Sequence, residues 1–141
     1  MKKILIICLV LILSVLVYGE EKMKNRIKFS FNNKEIIVLL EDNSASRSLL
    51  AQLPLEIKFE NYGNTEKISY LPKKLDISEA PKSCTPQIYD LTYYSPWGNL
   101  AFFTEDFRYS NGLVPLGKIE IGFTELKDID KIENVKIEKI N

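Results

Sequence analysis

The sequence predicts a mainly-β domain, a small closed β-barrel with one or two short helices. Three features of its 141 residues lead to this prediction. Short segments in which apolar and polar residues alternate recur along the chain, residues that form tight turns separate them, and one segment has the spacing of a helix. A barrel is favoured over an open sheet because closure removes the exposed edges at which a β protein aggregates.

Eight segments have the pattern of a strand. They are residues 26–31, 35–40, 55–60, 66–71, 88–94, 100–104, 116–123 and a closing strand that begins at Val135. Asn32-Asn33 joins the first two as a hairpin, since asparagine tolerates the left-handed conformations of tight turns. Residues 42–44 have short polar side chains that can cap a helix, and Pro54 ends that helix. We expect loops over 73–87 and 107–113, and a short connection over 128–131.

The N-terminus has the layout of a secretory signal peptide. Lys2 and Lys3 precede an apolar stretch, 4–17, and Val17 and Gly19 supply small residues at the −3 and −1 positions of a cleavage site. This stretch is shorter than the roughly 20 residues that span a membrane. The protein is therefore expected to be exported, to the periplasm or the extracellular space. An uncleaved signal that anchors it in a membrane is the alternative.

The predicted organisation has three parts: a signal peptide over 1–19, a flexible lead-in over 20–25 and one barrel domain over 26–141. Removal of the signal also removes Cys8, which leaves Cys84 alone and unable to form an internal disulfide. We expect Cys84 to be a loop or partly buried thiol without a catalytic role.

Charge and composition exclude several classes of function. The 19 basic and 19 acidic residues balance, so there is no basic excess for nucleic-acid binding. The chain has no histidine, which excludes a serine–histidine triad and most zinc sites. No glycine-rich phosphate loop is present. We therefore expect no cofactor and no metal.

The order of motifs along residues 26–123 carries a resemblance. The matching segments are 40–45, 53–55, 59–63, 66–72, 90–101, Phe103, Asp106 and 113–119. The most specific is the run Tyr-Tyr-Ser-Pro-Trp-Gly-Asn over 93–99. With these motifs the chain resembles the bacterial cyclophilin-like fold family, small β-barrel domains of largely unassigned function. Tyr89 departs from the family pattern, which usually has a glycine there, and Thr104 stands where a tyrosine is common.

Aromatic residues around this run predict the rim of a ligand pocket. The candidate ligand-binding residues are Tyr93, Tyr94, Trp97, Phe103 and Arg108. Aromatic faces suit an apolar or proline-like group, and tyrosine hydroxyls can orient it. Packing explains the same residues in another way, with Trp97 covering the barrel end and Tyr93 or Tyr94 filling the core.

The resemblance implies a cyclophilin-like fold, but the catalytic residues of the cyclophilins do not carry over to this sequence. Cyclophilins isomerise X-Pro bonds with an arginine beside an apolar pocket and a histidine at its rim. Neither Arg26, Arg47 nor Arg108 falls in that setting, and the chain has no histidine. The sequence therefore favours an exported domain that binds a peptide segment or small apolar ligand without catalysis. The alternative hypothesis is a weak peptidyl-prolyl cis-trans isomerase that acts on exported proteins. A third hypothesis is an interaction module that uses its outer strand faces.

Overall fold

A computed structural model describes residues 24–140. The strands are β1 (Arg26–Phe31), β2 (Lys34–Leu40), β3 (Leu55–Ile57), β4 (Glu60–Tyr62), β5 (Glu66–Tyr70), β6 (Ser83–Cys84), β7 (Asp90–Tyr94), β8 (Asn99–Phe103), β9 (Ser110–Asn111), β10 (Leu113–Ile121) and β11 (Val135–Ile140). The helices are α1 (Ser44–Gln52) and a 3-10 helix (Phe123–Lys131). The mainly-β prediction with two short helices is confirmed. The predicted signal peptide lies outside the described residues.

Nine of these strands form one antiparallel sheet, in the order β3-β11-β1-β2-β10-β7-β8-β5-β4. The two edge strands, β3 and β4, are consecutive in the chain and only Lys58 and Phe59 separate them. Because so few residues span about 10 Å at most, the sheet must curl until its edges approach each other. No ladder pairs β3 with β4 in the described residues, so the sheet is a strongly curled half-barrel and the predicted full closure is wrong.

The gap in the barrel arises at Phe59. Its side chain is fully buried, and its ring contacts those of Phe29 and Phe102 at centroid distances of 6.1 and 5.9 Å. The predicted strand over 55–60 is therefore interrupted at Lys58 and Phe59, where the backbone leaves the ladder. The hydroxyl of Ser69 donates to the Lys58 carbonyl oxygen at 2.6 Å, which holds this crossing segment against β5.

The first hairpin and α1 follow the sequence prediction. Asn32 and Asn33 have φ values of 46° and 60°, in the left-handed region that asparagine tolerates. Asn43 caps α1, because its side-chain oxygen accepts a hydrogen bond from the Ser46 N–H at 2.9 Å. The helix ends at Gln52, ahead of Pro54, and packs against the main core.

The segment after β10 differs from the prediction. A 3-10 helix replaces the expected end of a strand and short connection, and it buries Leu126 and Ile129, which lie one 3-10 turn apart. Gly122 makes the change of direction possible. It has φ 93°, and a Cβ atom there would lie 2.2 Å from the Glu35 carbonyl oxygen.

Both faces of β8 are covered, which explains why all five of its residues are buried. Leu100 and Phe102 face the main core, whereas Ala101 and Phe103 belong to a second, smaller cluster. The chain around β9 covers this second cluster, with Tyr94 and Phe107 packed against it. The expected loops over 73–87 and 107–113 are also partly ordered by pairing of β6 with β9. This second layer forms one wall of the candidate site.

Candidate functional site

A cleft of about 410 Å³ opens between the β7–β8 turn, the β4–β5 hairpin and the chain around β9. Its aromatic lining residues are Tyr62, Tyr94, Trp97, Phe107 and Tyr109. Its polar lining includes Glu66, Asn99 and Arg108. We call this site the Trp97 cleft. Its volume falls within the range of small-molecule and peptide side-chain sites.

The β7–β8 turn holds Trp97 at the mouth of the cleft. The N–H groups of Trp97 and Gly98 both donate to the Tyr94 carbonyl oxygen, at 3.2 and 2.9 Å, and Gly98 has the left-handed φ of 76° that this turn requires. The indole packs edge-on against the rings of Tyr62 and Tyr94, with centroids 5.5 and 5.3 Å away. Trp97 is nevertheless 49% exposed.

Gly112 joins the turn to the opposite wall. A Cβ atom there would lie 3.0 Å from Pro96 Cδ and 3.2 Å from Tyr94 Cε1, so the backbone passes directly against both side chains. The Gly112 carbonyl oxygen also accepts from the Ser95 N–H at 2.9 Å. The two walls therefore hold a fixed separation, and the cleft is largely preformed.

Glu66, Asn99 and Arg108 are among the polar residues that line the Trp97 cleft. Burial raises the pKa of Glu66, whose carboxylate makes no ion pair or hydrogen bond within residues 24–140. Asn99 is 2% exposed; its Nδ2 donates to the Leu100 carbonyl oxygen at 3.1 Å, and its Oδ1 is buried with no partner in the described part of the chain. The Arg108 guanidinium lies over the Phe107 ring, 4.5 Å from its centroid.

Three of the five predicted site residues meet in this cleft, namely Tyr94, Trp97 and Arg108. Tyr93 lies in the main core, 1% exposed, where its hydroxyl accepts from the Leu75 N–H at 3.2 Å. Phe103 is fully buried in the second cluster. Ligand contact stays a prediction for all five residues. Because Tyr93 and Phe103 are buried, a ligand in the cleft would reach them only if a neighbouring side chain moved aside.

Four other aromatic or charged cleft residues, Tyr62, Glu66, Phe107 and Tyr109, were not among the ligand-binding residues predicted from the sequence. Tyr62 and Glu66 lie opposite each other in the β4–β5 hairpin, and Phe107 and Tyr109 lie in a segment that reads as a loop. Glu66 reaches the site because β5 pairs with β8, where it is opposite Phe103. That pairing joins strands far apart in sequence, and no local pattern predicts it.

The surroundings of Cys84 disfavour its thiolate form. It is partly buried, and burial raises the pKa of its thiol to about 11, with Asp90 and Glu41 adding to the effect. The thiol therefore stays protonated near neutral pH, and only the thiolate is a strong nucleophile. Within residues 24–140, no group of three histidine, cysteine, aspartate or glutamate side chains is placed to hold a metal ion. None of the described helices has the length and apolar character to cross a membrane.

Comparisons with known proteins agree with the fold. A solved structure with the same architecture is the solution structure of the hypothetical protein AF2241 from Archaeoglobus fulgidus, with a TM-score of 0.63 at 18% identity over 86% of this chain and 99% of that chain. No curated protein has significant similarity to the sequence. The model of the cyclophilin-like family matches residues 29–138. With the curled sheet and this match over most of its length, the chain belongs to the cyclophilin-like family.

Proposed function

We propose that the protein is an exported binding domain that holds a peptide segment or a small apolar ligand in the Trp97 cleft without catalysing a reaction. The observation that carries the proposal is the exposure of Trp97. An indole that is 49% exposed, between two tyrosine rings and in a preformed cleft, leaves apolar surface available to a ligand.

The polar groups of the cleft support binding rather than nucleophilic catalysis. Nucleophilic catalysis needs a nucleophile and a base within hydrogen-bond reach of each other. Glu66 and Arg108 make no side-chain hydrogen bond in the described residues, and Asn99 bonds only to a backbone carbonyl. These groups are suited to orienting a ligand that carries a hydrogen-bond donor for Glu66 or Asn99 and an acceptor for Arg108.

Trp97 also provides the test, because it is the only tryptophan in the chain. The purified protein is titrated with a panel of blocked tetrapeptides and of aliphatic and aromatic small molecules while indole fluorescence is followed. Binding of at least one compound, lost in Trp97→Ala and kept in Tyr70→Ala, supports the proposal; Tyr70 is a similarly exposed aromatic outside the cleft. If nothing in the panel binds and Trp97→Ala alters stability alone, the binding proposal is wrong.

Export needs a separate measurement. The mass of the protein recovered outside the cytoplasm is expected to correspond to a chain that begins at Glu20. A full-length mass in the membrane fraction would instead indicate an anchor, and a full-length mass in the cytoplasm would contradict export.

A second candidate function has one observation in its favour. Arg108 lines the same cleft as the apolar rings, and an arginine beside an apolar pocket is the arrangement that prolyl isomerisation would use. A blocked peptide with one Ala-Pro bond tests this in an isomerisation assay. Acceleration above the uncatalysed rate, lost in Arg108→Ala, would establish the activity. An unchanged rate would leave binding alone.

A further inference from the structure

We infer that the Trp97 cleft recognises a positively charged group, the side-chain ammonium or guanidinium of a lysine or arginine in a peptide, held by Glu66 and by the aromatic rings around Trp97. This inference rests on the proposed function of the same cleft and specifies the chemistry of its ligand.

The aromatic rings form a corner suited to a cation. Tyr62 and Tyr94 meet the Trp97 indole at 79° and 83°, so each tyrosine ring stands nearly perpendicular to the indole plane. Tyr62 and Trp97 remain 48% and 49% exposed. A cation is attracted to the face of an aromatic ring, most strongly to tryptophan, and the apolar stem of lysine or arginine can pack along the same surface.

Glu66 supplies the opposite charge. It is partly buried, and burial is the cause of its raised pKa; within residues 24–140 its carboxylate has no ion pair to offset that burial. Its sequence neighbour shows the contrast, because the Lys67 ammonium bonds Asp130 Oδ1 at 2.7 Å and Asn61 Oδ1 at 2.6 Å. A partly buried carboxylate without a partner is costly, and a bound cation would remove that cost.

Asn99 adds a second acceptor at the same site. Its Oδ1 is buried and unpartnered in the described residues, and the Nδ2 bond to Leu100 fixes which amide atom is the oxygen. The Glu66 carboxylate and Asn99 Oδ1 both lack a hydrogen-bond donor in the described residues, so they are complementary to a ligand group that only donates hydrogen bonds. Ammonium and guanidinium are the protein groups of that kind.

The other charges near Glu66 favour a peptide as the source of the cation. They are Arg108 in the cleft, and Lys67 and Lys127 on the far side of Glu66. Lys67 is already paired, as described above. Among residues 24–140 the Arg108 guanidinium has only the Phe107 ring as a partner, so it can donate to an acceptor of the ligand. A peptide offers backbone carbonyl oxygens for Arg108 together with a cationic side chain for Glu66, whereas a simple ammonium ion offers only the charge.

Four probes test the inference, with fluorescence and calorimetry on the purified protein. The peptide pair is Ac-Gly-Lys-Gly-NH2 and the same peptide with norleucine, which keeps all four stem carbons of lysine and lacks the charged ammonium group. The second pair is choline and its neutral isostere 3,3-dimethyl-1-butanol. We expect the lysine peptide to bind about tenfold more tightly than the norleucine peptide, from one cation–π contact and one partly exposed ion pair.

Two variants assign this preference to the cleft. Glu66→Gln is expected to reduce it to about two- to fivefold, because only the cation–π contribution remains. Glu60→Gln removes the same charge from an exposed position on neighbouring β4 and is expected to keep the full preference.

Each other outcome overturns the inference in a distinguishable way. Equal binding of the lysine and norleucine peptides removes the charge recognition but leaves the proposed ligand cleft intact. Preference for choline over its isostere without preference for lysine shows that a small ammonium compound, not a peptide, is recognised. If no probe binds, the inference fails, and the ligand panel under the proposed function decides separately whether the cleft binds anything.

Discussion

Tyr89 offers a sharp test of the backbone conformation that leads into β7. It has φ 73°, in the left-handed region that glycine adopts more readily than tyrosine. Its N–H donates to the Phe103 carbonyl oxygen at 2.8 Å and its carbonyl oxygen accepts from the Ile119 N–H at 3.0 Å, so the surrounding strands fix this conformation. The Tyr89 ring packs against that of Phe123, with ring centroids 5.0 Å apart, and this contact favours a large side chain at position 89.

The comparison of Tyr89→Gly with Tyr89→Ala isolates the backbone term, because both variants lose the ring. A left-handed conformation costs an alanine roughly 1 to 2 kcal/mol. Glycine loses about 0.5 to 1 kcal/mol more than alanine through the entropy of the unfolded chain. The glycine variant is therefore expected to be more stable by about 0.7 kcal/mol, or about 3 °C in Tm.

Urea unfolding of both variants measures this difference. The control is the same pair at Tyr70, which ends β5 outside the left-handed region; alanine should be the more stable there by about 0.7 kcal/mol. The reasoning is refuted if alanine equals or exceeds glycine at position 89 while the Tyr70 pair keeps its expected order.

Three further predictions concern the fold and the cleft. Gly122→Ala should destabilise the protein by about 3 kcal/mol in urea unfolding, because of the left-handed φ and the clash with the Glu35 carbonyl oxygen. Gly63→Ala, with φ 56° and open space around the added Cβ atom, should cost only about 1 kcal/mol. Equal losses of stability in the two variants would contradict the close approach at Gly122. Hydrogen bonds from two lysine ammonium groups lower the pKa of Asp128, so its stabilisation is present above the pKa of an unfolded aspartate and is lost as pH falls toward the folded value. Asp128→Asn should therefore give a shallower loss of Tm on acidification, and an unchanged acid profile would contradict it. Burial raises the pKa of Glu66, so its carboxylate becomes protonated at a higher pH than an exposed glutamate. The affinity for the lysine peptide should therefore fall as the pH is lowered and Glu66 is protonated. In Glu66→Gln the affinity should not change over the same pH interval.

The local features of the fold were accessible from the sequence. Alternation identified the long strands, and the turn at Asn32-Asn33 and the cap at Asn43 follow from side-chain chemistry within three residues. The break at Phe59 was not accessible, since its apolar alternation continues that of the preceding strand. Only the position of the opposite barrel wall determines that this ring must enter the core.

The candidate site was accessible in part for a related reason. Tyr93 and Tyr94 are neighbours on β7 and must face opposite sides of the sheet, but the sequence does not say which faces the core. Tyr62 and Glu66 reach the cleft through the pairing of β5 with β8, which joins distant segments. Trp97 was identified because its turn carries its own signal in Pro96 and Gly98.

The most direct test of the account is a titration of the isotope-labelled protein with Ac-Gly-Lys-Gly-NH2, followed by NMR. The single tryptophan gives one indole N–H resonance, so the cleft has a signal that needs no further assignment. We expect this resonance to shift with peptide concentration, together with backbone amides of the β4–β5 hairpin and the chain around β9. Saturable shifts elsewhere on the domain, with the indole resonance unmoved, would contradict the assignment of the Trp97 cleft as the binding site.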